Sequence, residues 1–151
     1  MIRGISFKIQ QATENVLWKI LKCIDIEKYC WHNIESQNEV WDSPLGEVFF
    51  ETDFYDGKSF LQRIRLDHYI VFLKLQAYFK NGEFYDVHSY EDFQKSDCSL
   101  LLLIWDCEFV NIYVKDEIVA KAIYENALSN SYTEVEYITT SNDGRTKMDV
   151  L

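Results

Sequence analysis

The chain has 151 residues, a net charge of −10 and 48% hydrophobic residues, with five glycines and one proline. Such a length fits one domain that buries about two thirds of the surface its unfolded form exposes, and such a composition excludes long linkers and disordered tails. With a pI near 4.7, the molecular field disfavours nucleic acid and anionic membranes as partners, and Lys58, Arg63, Arg65 and Lys74 are too scattered, with Asp67 among them, to track a phosphate backbone.

Ile5, Phe7 and Ile9 alternate with Gly4, Ser6 and Lys8, the period of a half-buried strand. Thr13 is then placed to cap a helix carrying Val16, Leu17, Ile20, Leu21 and Ile24 on one face. Tyr29 to Ile34 and Gly46 to Glu51 read as short strands separated by a loop from Asn38 to Pro44. Asp56-Gly57 marks a turn, with Ser59 as cap of a brief helix to Ile64. Leu66 to Phe79 is rich in β-branched and aromatic residues and predicts a long strand, with a helix as the rival reading.

After the Asn81-Gly82 turn, Ser89 and Asp92 have capping-box spacing for a short helix to Lys95. Ser99–Trp105 and Phe109–Val114, joined through Asp106-Cys107-Glu108, predict a hairpin in the centre of the core. Asp116 caps a helix with Ile118, Val119, Ala122, Ile123 and Ala127 inward, ending near Asn130. Tyr132 to Thr140 is a last strand, and Asn142 to Thr146 an exposed loop or tail. The sum is a single α+β domain, residues 1–151, with a mostly antiparallel sheet of about six strands and three to four helices on one side.

The longest apolar run, Leu100 to Trp105, is far short of the ~20 residues of a membrane span. The N-terminus has no secretory pattern, which points to the cytosol and to Cys23, Cys30, Cys98 and Cys107 as thiols. The glycines stand alone, so no phosphate cradle and no nucleotide cofactor are expected. Cys30 and His32 share a side of a strand but are only two ligands, and recruiting His68, His88, Asp67 or Asp86 would require the fold to bring them together; no metal is expected. No serine sits in a nucleophile elbow. Two carboxylate pairs, Glu51 with Asp53 and Asp106 with Glu108, have acid–base spacing, and Arg145 in its turn has the chemistry to grip a carboxylate or phosphate. No catalytic residue is assigned.

The most unusual stretch runs from Tyr29 to Gly57. It holds seven carboxylates, seven aromatic residues and no Lys or Arg. Rings supply contact area and uncompensated acid steers a basic partner, which makes Trp31, Trp41, Glu47, Phe50, Glu51, Asp53 and Tyr55 the expected contact surface. The bland reading of the same stretch is a sheet edge with a solvated loop.

Arg3-Gly4-Ile5-Ser6-Phe7, the phrase from Leu21-Lys22 to Ile24-Asp25-Ile26, the Leu102-Leu103-Ile104 to Ile112-Tyr113 hairpin and Asn142-Asp143-Gly144-Arg145-Thr146 together resemble an uncharacterised bacterial family, domain of unknown function 2691. The resemblance spans nearly the whole chain and implies a small bacterial cytosolic protein, with no catalytic residues to carry over. The acidic, aromatic stretch, and not the resemblance, carries the leading expectation of a non-enzymatic protein-binding module of inhibitor, immunity or regulatory type. The alternatives are a small-molecule or hydrolase-type domain using carboxylates, with His68, in a pocket beside the sheet, and a homodimer burying the rings.

Overall fold

In the computed structural model, which describes residues 1–43 and 46–151, the chain opens with β1 (Ile2–Lys8), α1 (Val16–Leu21), β2 (Tyr29–Asn33) and β3 (Glu39–Asp42). It continues through β4 (Phe54–Tyr55), α2 (Gly57–Ile64), β5 (His68–Phe79) and α3 (Tyr90–Lys95). The β6–β7 hairpin (Cys98–Trp105 and Phe109–Val114), α4 (Glu117–Ser129) and β8 (Thr133–Thr139) complete it. Every strand pairing is antiparallel, in the order β4-β2-β5-β6-β7-β1-β8, with β3 also on β5. The α+β class is as expected, with eight strands rather than about six.

The extra strands come from the acidic stretch. β3 occupies the predicted loop, whose Pro44 lies outside the described residues, while 46–51 forms no strand beyond a bridge from Val48 to Trp41. β5 is long enough to carry two neighbours on one edge: β3 pairs with 68–72 and β2 with 75–79. At the seam, the Lys74 carbonyl accepts from Ile34 N–H (3.0 Å) and the Lys74 N–H donates to Asn38 Oδ1 (3.2 Å).

Helix ends follow short-range capping chemistry. Asp56 accepts from Ser59 N–H (2.8 Å), so Asp56 rather than Ser59 caps α2; Ser89 accepts from Asp92 N–H (3.1 Å) and Asp116 from Ile118 N–H (2.8 Å). Thr13 caps nothing, because α1 starts three residues later behind Asn15, which makes no side-chain cap. Gly57 is required by packing: a Cβ there would lie 2.2 Å from the Glu27 carbonyl oxygen. On α4 the buried positions are Ala120, Ile123 and Ala127, and Ile118, expected inward, is 81% exposed.

Both sheet faces are covered. Leu73, Leu75 and Ala77 of β5 join Leu100, Leu102 and Ile104 of β6 under α1, α2 and α4 in the larger core. On the other face Tyr78, Leu101, Leu103 and Tyr113 pack under Phe93 of α3, Val87 and Met148. The helices are thus not confined to one side, and the 141–151 tail is not free. Asp143 accepts from Arg3 (3.1 Å) and from the Tyr113 hydroxyl (3.1 Å), and Gln37 Oε1 accepts from the backbone N–H of Val150 and Leu151 (2.8 and 2.9 Å).

Lys74 points into this second face with no exposed surface. Its ammonium donates to Asp86 (2.7 Å), Asp149 (2.8 Å) and the Val87 carbonyl. Burial alone raises the Asp149 carboxyl, but the hydrogen bonds and charges of Lys74 and His88 outweigh it and hold the group below the usual range. Removing one member of such a cluster leaves uncompensated charge, so Lys74→Met lowers the unfolding free energy by about 3 kcal/mol. The triple change Lys74→Met, Asp86→Asn, Asp149→Asn recovers most of that loss in urea denaturation.

Candidate functional site

The seam on β5 opens a cleft of about 540 Å³ among the described residues. One wall is the 35–41 segment, with Glu35, Glu39, Val40 and Trp41; the other is the 50–53 segment, with Phe50, Glu51, Thr52 and Asp53; Phe72, Asn33 and Leu151 complete it. Buried Asn33 ties the walls together. Its amide donates to the Thr52 and Asp53 carbonyls (2.7 and 3.3 Å), its backbone N–H donates to the Asp53 carbonyl (2.9 Å), and its Oδ1 accepts from Asn38 (2.8 Å). Asn38 is the residue that accepts from Lys74, so the seam, the cleft and the tail are one hydrogen-bonded unit.

Of the seven residues expected at a contact surface, four line this cleft: Trp41, Phe50, Glu51 and Asp53. Trp41 is 39% exposed and Phe50 half-buried. Trp31 and Tyr55 belong to the core. Trp31 has no exposed surface, stacks on Phe60 at 4.5 Å and donates to the Ile26 carbonyl (3.0 Å); the Tyr55 hydroxyl accepts from Glu51 N–H (2.9 Å). Both face inward because β2 and β4 pair beside α2, and their registered partners Trp31 and Tyr55 point to its side of the sheet. Glu47 is exposed outside the cleft, where its N–H donates to Asp42 (2.7 Å).

Sequence reasoning missed Glu35, Glu39, Phe72 and Leu151 as neighbours of Trp41. Glu35 and Glu39 were within the acidic stretch, but only the shared edge of β5 brings Phe72 to them. Glu51 is neutralised by Arg63 at 3.2 Å, whereas Glu35, Glu39 and Asp53 make no ion pair among the described residues. Among the described residues the cleft lining contains no Lys, Arg, His, Cys or Ser. On neighbouring β2 and β4 lies a further row of rings, with His32 stacked against Phe84 (4.4 Å) and tilted against Phe54 (5.0 Å); Phe54 is 47% and Phe84 43% exposed.

The other sequence candidates have internal duties. His68 is fully buried: Nε2 accepts from Leu17 N–H (3.1 Å), which leaves Nδ1–H to donate to the Leu66 carbonyl (2.7 Å), and burial pushes its pKa down to about 4. Asp86, His88 and Asp149 do converge, but the Lys74 ammonium lies between the two carboxylates where a cation would sit. Cys30 and His32 share a face of β2, and the His32 ring is taken up by its aromatic neighbours. Burial raises the Cys23 thiol to about 11 and the Cys98 thiol to about 12. Asp106 and Glu108 stand exposed on the hairpin turn. Arg145 lies over the Trp105 ring (4.4 Å) and donates to the Lys147 and Asp149 carbonyls (3.0 and 3.1 Å), so it fastens the tail.

Fold and cleft together define an α+β protein with one eight-stranded antiparallel sheet and an acidic, ring-lined cleft at the seam where two strands share a third. The chain belongs to the family described as "Protein of unknown function (DUF2691)", whose profile matches residues 2–149. It is 35% identical over 153 residues to "Uncharacterized protein YncE" of Bacillus subtilis (strain 168), covering 99% of this chain and all of that protein. No solved structure gives a significant match. No helix among the described residues is long and apolar enough to cross a membrane.

Because the folded His68 pKa lies below its unfolded value, its contribution is complete above pH ~6.5 and disappears as pH falls towards 4. Urea denaturation at pH 7 and 4.5 is expected to show roughly 2 kcal/mol less stability at the lower pH from this group, a difference that His68→Gln removes.

Proposed function

We propose that this protein is a cytosolic, non-catalytic module of inhibitor or regulatory type that holds a basic partner protein in the cleft between 35–41 and 50–53. The observation that carries this reading is the set of three carboxylates, Glu35, Glu39 and Asp53, gathered with no paired cation among the described residues beside the exposed Trp41 ring and half-buried Phe50 and Phe72. Like charges in a concave, partly apolar site repel one another, and a basic group brought by a partner relieves that repulsion while the rings supply contact area.

Two features favour binding over chemistry. Among the described residues the lining offers no imidazole, thiol or amine to partner a carboxylate in nucleophilic or proton-transfer catalysis. His68, the imidazole nearest in concept, has both ring nitrogens engaged inside the core. Self-association through the cleft is disfavoured as well, since a second copy brings the same acid to the same place.

The test is the affinity for an octapeptide of alternating Lys and Arg. Glu39→Lys with Asp53→Lys is expected to weaken binding by about tenfold or more, while the charge-matched Glu125→Lys with Glu136→Lys changes it by less than about twofold. Raising NaCl weakens binding to the native chain. Equal losses in the two variants would reduce the effect to net charge and overturn the reading.

A further inference from the structure

The chemistry of the cleft narrows the partner group further. Resting on the reading of the cleft as a partner site, we propose that it receives an arginine side chain projecting from the partner protein, with the guanidinium plane on the Trp41 ring and its N–H groups donating to Glu39 and Asp53.

Rings and carboxylate acceptors lining one cleft suit a planar cation. A guanidinium is weakly hydrated, presents an apolar face to a ring and still offers N–H donors at its edge; an ammonium is a strongly hydrated point charge that loses water when pressed between Trp41, Phe50 and Phe72. At about 540 Å³ the cleft has room for an arginine side chain together with part of the partner backbone that carries it.

The molecule already uses this pairing elsewhere. Arg3 lies 4.0 Å over Tyr90 and bonds Asp143; Arg63 lies 4.7 Å over Phe49 and pairs with Glu51 on the cleft wall itself. Its lysine–ring contacts are looser, at 5.2 to 5.8 Å, and every arginine–ring contact is at 4.0 to 4.7 Å. Arg63 satisfies Glu51 from behind, which leaves Glu35, Glu39 and Asp53 for an incoming cation.

Hexa-arginine and hexa-lysine carry the same charge and separate the two ideas in fluorescence-anisotropy titrations of the full chain. Hexa-arginine is expected to bind about tenfold more tightly. Trp41→Leu, which keeps bulk but removes the π-face, should bring the ratio to about two, and Trp41→Phe should retain most of it. Far-UV circular dichroism and thermal unfolding establish that both variants are folded. Equal affinity for the two peptides, or a ratio that Trp41→Leu leaves unchanged, overturns the arginine assignment while the basic-partner reading stands. Binding of neither peptide overturns both.

Discussion

The fully buried ammonium of Lys74 is the constraint around which this structure is arranged. A lysine in the centre of a sheet is tolerated only if its charge is met, and here Asp86 of the 80–89 connection and Asp149 of the tail are both drawn beneath β5 to meet it. The backbone of the same residue stands at the seam between β2 and β3, holding Ile34 through its carbonyl and Asn38 through its N–H. One residue thus fixes the tail on one face and one wall of the cleft at the edge.

The cleft follows from strand length. β5 has twelve residues and its two partners on that edge have four and five, so the chain must leave the sheet between them and return. That excursion raises Glu35, with Glu39 at the start of β3, on one side, and the 50–53 segment leading from β3 to β4, stitched by Asn33, raises Glu51 and Asp53 on the other. Acid and rings are concentrated by topology. The sheet's other free margin is less suited to a partner: β8 is bulged against β1, and Glu134 has a left-handed backbone and pairs with Lys8.

Much of the framework was legible because hydrophobic period and capping chemistry agree locally. The β6–β7 hairpin, β5, α3 and α4 appear close to their expected bounds, since alternating or helical apolar patterns there end at Ser89, Asp116 and the Asp106-Cys107-Glu108 turn. β3 was not legible: Glu39-Val40-Trp41-Asp42 is four residues long, acidic at both ends, and becomes a strand only because β5 supplies a template. The tail was misread for the same reason. Asn142-Asp143-Gly144 has the composition of a solvated turn, and nothing local announces that Arg3, Tyr113 and Lys74 wait for Asp143 and Asp149. A usable signal did exist in Lys74 and Gln76, two polar residues two apart in an otherwise apolar strand, which implies polar partners on that face.

The candidate site was half legible. Composition located the acidic, aromatic stretch, but periodicity could not tell inward rings from outward ones, and Trp31 and Tyr55 proved to be core while Trp41 and Phe50 reach the cleft. The account therefore stands on where a basic ligand makes contact. The most direct measurement is a two-dimensional amide and indole NMR titration of the uniformly ¹⁵N-labelled chain with an arginine-containing basic peptide. The account predicts saturable shifts concentrated at Asn33, Glu39, Trp41, Thr52 and Asp53, including the Trp41 indole. Shifts scattered over the acidic surface, or centred on β8 or the Phe54–Phe84 row with the cleft unmoved, would contradict it.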